Sequence, residues 1–254
     1  MNAVTSTFNQ FIFQYQCADK LQNDIVNDLT RMLRLKFRSN APRRPPRVFV
    51  IGPPGSGRTT QASMIADAFG LVSVSPQKIL LAEAEKNPAI KIKMQEAIES
   101  GVGIPDEILL RMIDQRLNQS DCRLNGWVLD GFPETEQQVN LLKSMRIKPS
   151  LCCIFDQSCE ESVKKLGARR IDRNTGKLYN MEMSPPQDGS VKNRLVQRTE
   201  DSEEIVKKRF EKWNANIQTL EDSYRNCLLA INVNEAAIDS VFEQIKEAIE
   251  NPII

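Results

Sequence analysis

The chain has 254 residues, room for one large domain or two small ones, and its 41% hydrophobic and 26% charged residues suit a globular protein that can build a core. A formal net charge of +1 argues against a nucleic-acid surface, and the absence of any histidine excludes His-based triads and His-ligated metals. No apolar run approaches the roughly 20 residues of a membrane span. Met1 to Lys20 lacks the basic and long apolar regions of a secretory signal. Cys17, Cys122, Cys152, Cys153, Cys159 and Cys227 show no C-x2-C spacing, which points to a reducing, cytoplasmic setting, with Cys152 and Cys153 as small core residues.

Residues 1–46 read as an arm. Leu21, Ile25, Leu29 and Leu33 recur every fourth residue, which predicts an amphipathic helix from Asp19 to Phe37. Arg31 to Arg47 carries seven basic residues and no acidic one, and ends in the stiff linker Ala41-Pro42-Arg43-Arg44-Pro45-Pro46. This pattern suits either a docking or membrane-surface segment, or a solvated helix end followed by a linker.

From Arg47 to the C-terminus strands and helices alternate. Val48 to Ile51 reads as a buried strand that runs into Gly52-Pro53-Pro54-Gly55-Ser56-Gly57-Arg58-Thr59-Thr60. A helix from Gln61 to Phe69 follows, closed by Gly70, and then a short strand from Leu71 to Val74. Helices are predicted over Ala82 to Glu99, stopping at Gly101, and over Pro105 to Leu117, with Asp106 and Glu107 in the first turn. Trp127 to Leu129 and Leu151 to Phe155 are strands. Glu203 to Arg225 is a long helix, Cys227 to Val233 the last strand, and Ile238, Val241, Phe242, Ile245 and Ile249 stripe a closing helix. Such alternation predicts a parallel sheet with helices on both faces. Residues 169–198 interrupt it: the turn Asn174-Thr175-Gly176 lies between short extended pieces, and Ser184-Pro185-Pro186 follows, as in a small inserted lid.

The loop 52–60 matches G-x-x-x-x-G-K-[ST] except that Arg58 stands in the lysine slot. Its glycines let backbone N–H groups curl around phosphate oxygens, and the helix that follows adds its positive end. Phosphoryl transfer needs positioning and charge neutralisation more than acid–base groups, so a chain without histidine can perform it. Asp130, at the end of its strand, suits a magnesium-bound water; the alternative is an N-cap or turn aspartate before Gly131. Arg169, Arg170, Arg198 and Arg209 are far apart in sequence, and closure of a lid would bring them together on phosphates.

These motifs resemble the adenylate kinase family. The resemblance is carried by Gly57-Arg58-Thr59-Thr60-Gln61, Gly126-Trp127-Val128-Leu129-Asp130-Gly131-Phe132-Pro133, Ala168-Arg169-Arg170-Ile171-Asp172, Thr175-Gly176-Lys177-Leu178-Tyr179, Arg198 to Asp201 and Glu203 to Arg209. It spans the chain from Arg47 onward. It implies an α/β P-loop NTPase fold, a three-layer sandwich around a parallel five-stranded sheet, with an NMP-binding insertion at about 75–104 and a lid at about 168–198. The activity implied is transfer of the ATP γ-phosphoryl group to AMP with Mg²⁺. Gly52, Gly55, Ser56, Gly57, Arg58, Thr59 and Thr60 would hold the ATP phosphates, with Lys165 beside its adenine. Asp130 would organise the metal through water. Arg58, Arg169, Arg198 and Arg209 would act on the transferring group, and Ser75, Ile104 and Gln138 would contact AMP.

The sequence also departs from the family. Pro76 and Gln77 replace a threonine and a glycine of the AMP site, and Leu81 and Glu134 stand where it has arginines. Loss of a transition-state arginine costs roughly 10³–10⁵ in rate, and a like charge beside a phosphate adds repulsion. Weak turnover is therefore expected. Lys78, Lys91 and Lys93 are each either a replacement cation or a solvated side chain. Within the family the chain resembles one kinase-like unit of a two-unit branch from cilia and flagella, which implies an axonemal partner for residues 1–46. The alternative reading is a nucleotide-binding or structural module that keeps the fold without turnover.

Overall fold

The computed structural model describes residues 45–100, 105–182 and 185–251. The expected helix 19–37, most of the arm, the stop at Gly101, Ile104 and Ser184 lie outside the described residues.

The first strand, β1 (Arg47–Ile51), is the centre of the molecule. Val48, Phe49, Val50 and Ile51 are all fully buried, as expected of a strand covered on both faces. Helix α1 (Arg58–Phe69) starts inside the glycine loop, three residues earlier than its apolar pattern suggests, and ends at Gly70. The strands β2 (Val72–Val74), β3 (Trp127–Asp130) and β4 (Leu151–Asp156) follow with helices between them. The last strand of the sheet, Leu228–Asn232, completes the order β2-β3-β1-β4-last, with parallel pairing throughout. From β1 the chain goes to the edge strand β2, returns to β3 beside β1, and then crosses to β4 on the other side. The carboxyl ends of β3, β1 and β4 thus form the crevice at which such sheets bind ligands.

Alternate residues face opposite layers. Phe49 and Ile51 pack towards α4 (Asp106–Leu117), α6 (Glu136–Ser144) and α9 (Glu203–Tyr224), while Val48 and Val50 pack towards α1 and α10 (Ile238–Glu250). Phe49 meets Tyr224 edge-on at 5.4 Å and Trp127 at 5.6 Å between ring centroids. Aromatic pairs of this kind add about 0.5–1.5 kcal/mol to their burial. Cys152 and Cys153 are split between the two cores, and burial pushes both thiols well above their ordinary pKa. They are inert packing groups.

The structure corrects the helix expected over 82–99. It divides it into α2 (Pro76–Lys86) and α3 (Pro88–Ser100). Pro88 disfavours helical backbone at the residue before it, and Asn87 is extended at φ −122°, ψ 103°. The Asn87 side chain then accepts the Ala89 N–H at 3.1 Å and starts the second helix. Three short helices escape the periodicity reading: α5 (Ser120–Asn125), α6 and α7 (Cys159–Gly167). Thr135 and Ser158 cap the last two, accepting N–H bonds from Gln138 and Glu161.

Residues 169–196 form a three-stranded antiparallel sheet of β5 (Arg169–Asp172), β6 (Leu178–Asn180) and β7 (Leu195–Val196), with the short helix α8 (Gly189–Lys192) before β7; the strand Leu228–Asn232 is β8. Asp172 knots this sheet. Its buried carboxylate accepts two bonds from Arg194 at 2.9 Å, the Thr175 hydroxyl at 2.8 Å and the Asn174 N–H at 3.0 Å. Those bonds hold its pKa well below the carboxylate range. At the opposite edge of the main sheet, the linker is clamped where it enters β1. The Pro46 carbonyl accepts the Trp127 N–H at 3.0 Å, and at Gly126 (φ +84°) a Cβ would lie 2.2 Å from that carbonyl oxygen.

Candidate functional site

The carboxyl ends of the strands open into a cleft of about 1740 Å³, lined by the loop 54–61, the start of α2, Asp130 to Phe132, the start of α6, α7, the β5–β6 sheet and α9. Single small-molecule sites typically occupy roughly 300–1,000 Å³, so the space suits two substrates side by side.

The loop wall is made by backbone. Gly55 (φ +81°) and Gly57 (φ +83°) turn the chain into α1, and Gly57 caps that helix without a side-chain hydrogen bond. The first turn carries no acidic residue. Its free N–H groups and the positive helix end are therefore available to an anion. Gly52 is needed for close packing: a Cβ there would lie 2.8 Å from Phe155 Cβ and 2.9 Å from Ser56 Oγ. Ser56 Oγ and Gln61 Oε1 are buried without a hydrogen-bond partner, while Gln61 Nε2 donates to the Ile238 carbonyl at 2.7 Å and ties the loop to α10.

Asp130 ends β3 beside this loop. Burial raises its pKa, against a hydrogen bond from Thr59 and the nearby charges of Arg58 and Lys78. Thr59 and Asp130 thus form one oxygen-rich corner. Among the described residues no group of three His, Cys, Asp or Glu side chains could hold a metal unaided.

The structure brings the four expected arginines into one electrostatic cluster. Arg58 donates from Nη1 to Glu134 Oε1 at 2.9 Å. Arg169 makes a bidentate pair with buried Asp201, at 2.8 and 2.5 Å, and Arg198 pairs with Glu200. Arg209 has no such carboxylate partner among the described residues. Its side chain opens to the cleft, yet the walls around it strip part of its hydration. That desolvation lowers its pKa, with Glu134 and Asp201 opposing and Arg58 and Arg169 reinforcing the effect. The pKa of Arg198 is lowered in the same way, by desolvation and by Arg169 and Arg209. Arg170 turns away and donates to the carbonyls of Gly167 and Arg169.

The other expected residues divide. Ser75 lines the cleft just before α2. Gln138 lines it too, but both ends of its side chain are engaged: Oε1 accepts the Glu134 N–H at 2.8 Å and Nε2 donates to Asp106 at 2.8 Å. Lys165 is held by Gln157 Oε1 at 2.9 Å and the Val233 carbonyl at 3.3 Å. Leu81 is 51% exposed and does not line the cleft, whereas Lys78, one turn earlier on α2, does. Lys91 and Lys93 do not line it. Glu134 enters the cleft as half of an ion pair, and not as the bare carboxylate that the sequence suggests.

Sequence reasoning misses the anchors. Asp201 and Glu200 hold arginines, and Asp106, which reads as a favourable first-turn acid, orients Gln138. The carboxylates two and three residues after Arg198 are the one signal that hints at them.

The profile of the family described as Adenylate kinase matches residues 50–228. The chain is 36% identical over 203 residues to a chloroplastic adenylate kinase of Zea mays, covering 80% of this chain and 91% of that protein. It is 33% identical over 209 residues to a probable chloroplastic adenylate kinase 2 of Oryza sativa subsp. japonica, covering 82% of this chain and 72% of the relative. It is also 31% identical over 236 residues to human adenylate kinase 8, a match that takes in 93% of this chain but about half of that protein, 49%. With the parallel sheet, the glycine loop and matches of this extent, the chain belongs to the adenylate kinase family, the phosphotransferases that act on nucleoside monophosphates.

Proposed function

We propose that the protein transfers the γ-phosphoryl group of ATP to AMP, giving two ADP. The observation that carries this reading is the convergence of Arg58, Arg169, Arg198 and Arg209 with Asp130 in one cleft large enough for two nucleotides. The loop amides from Gly55 to Thr60 hold the ATP phosphates, with Lys165 at the adenine end. Arg169, Arg198 and Arg209 neutralise the charge spread over the transferring group, which is the main requirement of this chemistry. The attacking phosphate oxygen of AMP needs no base, because it is already ionised.

Magnesium fits the Asp130–Thr59 corner. That ion binds through one or two carboxylates, water and substrate phosphates, and not in an all-protein cage. It would supply charge neutralisation for the ATP phosphates.

On the acceptor side, Gln138 and Ser75 contact AMP, and Lys78 takes the part of the missing arginine at the AMP phosphate. Its place in the cleft, with Leu81 outside it, supports this assignment. A single flexible ammonium in place of two planar arginines makes turnover modest. Phosphorus NMR of the protein with Mg²⁺, ATP and AMP tests the reading: ADP forms faster than in a protein-free control, and its absence leaves no kinase. The pairing of Arg58, Arg169 and Arg198 with carboxylates favours one second reading, a nucleotide-binding module that does not turn over. Measurable ATP binding without ADP formation selects it. A ciliary location, and an axonemal partner held by residues 1–46, rest on the resemblance of the sequence to adenylate kinase 8 alone, and a cytoplasmic one also on the cysteine spacing. Among the described residues no helix is long and apolar enough to cross a membrane.

A further inference from the structure

The reaction read above makes no use of Glu134, yet this residue joins the two sides of the cleft. Arg58 opens α1, and its side chain is only 15% exposed, against 43% for Glu134. Its guanidinium lies along the backbone of Gly131, where a Cβ would stand 3.5 Å from Nη1. From there Nη1 reaches Glu134 Oε1 at 2.9 Å. Glu134 is itself held from the far side. Its N–H donates to Gln138 Oε1 at 2.8 Å, and Gln138 Nε2 donates to Asp106 Oδ1 at 2.8 Å. One chain of contacts therefore runs from the first turn of α4 to the glycine loop.

We propose that Glu134 is a positioning residue: it holds the Arg58 fork at the junction of the loop and β3, and ties that placement to Gln138 on the acceptor side. A guanidinium offers five N–H donors in a fixed plane, so Nη1 can stay on the carboxylate while Nη2 and Nε turn to phosphoryl oxygens. A lysine ammonium at position 58 can pair with a carboxylate at 134, but as a flexible point charge without a planar fork it would not be oriented by that contact. The two unusual residues are thus one device. Arg58 extends the reach of the loop cation towards the acceptor, and Glu134 fixes where that reach ends.

The kinetic test rests on the kinase reading, so a second measurement stands apart from it. Glu134→Gln, Arg58→Lys and the double variant of the full chain are assayed with ATP and AMP varied. Glu134→Gln lowers kcat about 10- to 100-fold, the scale of a misplaced group, with both KM values nearly unchanged. The same change in the Arg58→Lys background costs almost nothing further, as coupled residues require. The Arg58 Nε–Hε NMR signal, assigned by its loss in Arg58→Lys, weakens in Glu134→Gln at unchanged thermal stability. If Glu134→Gln unfolds, Glu134→Asp keeps the charge, shortens the reach and shows the same loss confined to kcat. A rise in kcat/KM for AMP in Glu134→Gln overturns the proposal, because Glu134 then only repels the acceptor. Equal losses in both backgrounds overturn it too. If the unaltered protein makes no ADP, the kinase reading fails, and the NMR signal still decides: no change on removing the Glu134 charge refutes the positioning role.

Discussion

The loop side of the cleft presents backbone, with Gly52, Gly55 and Gly57 shaping a row of N–H donors whose position is set by β1, α1 and the tie to α10. The α2 side presents side chains: Lys78 on an exposed helix, and Gln138 oriented by Asp106. A backbone site tolerates substitution at most of its positions, because the donors do not depend on the residue type. A side-chain site changes with each substitution. The glycine loop keeps its pattern with one altered letter, while the facing wall has Pro76, Gln77 and Glu134 in unfamiliar places.

The comparison can be broken by four substitutions. Arg209→Ala removes the one of the four clustered arginines that has no carboxylate partner among the described residues, and lowers kcat by roughly 10³-fold in steady-state kinetics. A smaller loss would mean that Arg58, Arg169 and Arg198 carry the charge without it. Lys78→Ala acts on one side only: KM for AMP rises about tenfold, the worth of one charge-assisted hydrogen bond, while KM for ATP holds. If both rise together, the two sides are not separable.

Asp172→Asn acts on the small sheet. Limited proteolysis within 169–198 becomes several-fold faster while the main sheet stays protected. The pH dependence follows from the depressed pKa of Asp172. Its stabilising contribution is complete above the unfolded carboxyl value of about 3.9 and is lost as pH falls through the lower folded value. Proteolysis of the unaltered protein therefore rises only under strongly acid conditions, and the Asn variant loses that acid dependence. Leu81→Ala is the smallest effect: it changes both KM values by less than about twofold, as expected of an exposed position outside the cleft. A larger change would return Leu81 to the acceptor site.

The main sheet is legible in the sequence because its signals are local. Four apolar residues before a glycine loop, Trp127 to Asp130 and the run through Cys152 and Cys153 need no partner to be recognised as strands. The short capped helices α6 and α7 are not, since nine residues offer too few turns to fix a period. In the cleft, Asp130 is found because it ends a recognisable strand and Arg58 because it stands in the glycine-loop motif, while Arg169, Arg198 and Arg209 are found only through the resemblance of their motifs to the family. Their partners are not found. Asp201 lies 32 residues from Arg169, and Glu134 lies 76 from Arg58. Only the fold brings such carboxylates within hydrogen-bond reach, so a sequence reader sees Glu134 as a stray negative charge. The Asn87–Pro88 break was readable, because Pro88 carries its own rule.

The clamp of Pro46 against Gly126 fixes the geometry of attachment. It sits at the amino edge of the sheet, and the nucleotide loop leaves the carboxyl edge of β1, five residues on. At about 3.3 Å of rise per residue the two points are some 16 Å apart, on opposite rims of the domain. The described chain therefore enters this unit at its base, on the rim opposite the mouth of the cleft, and the approach to that mouth is clear of the point of entry.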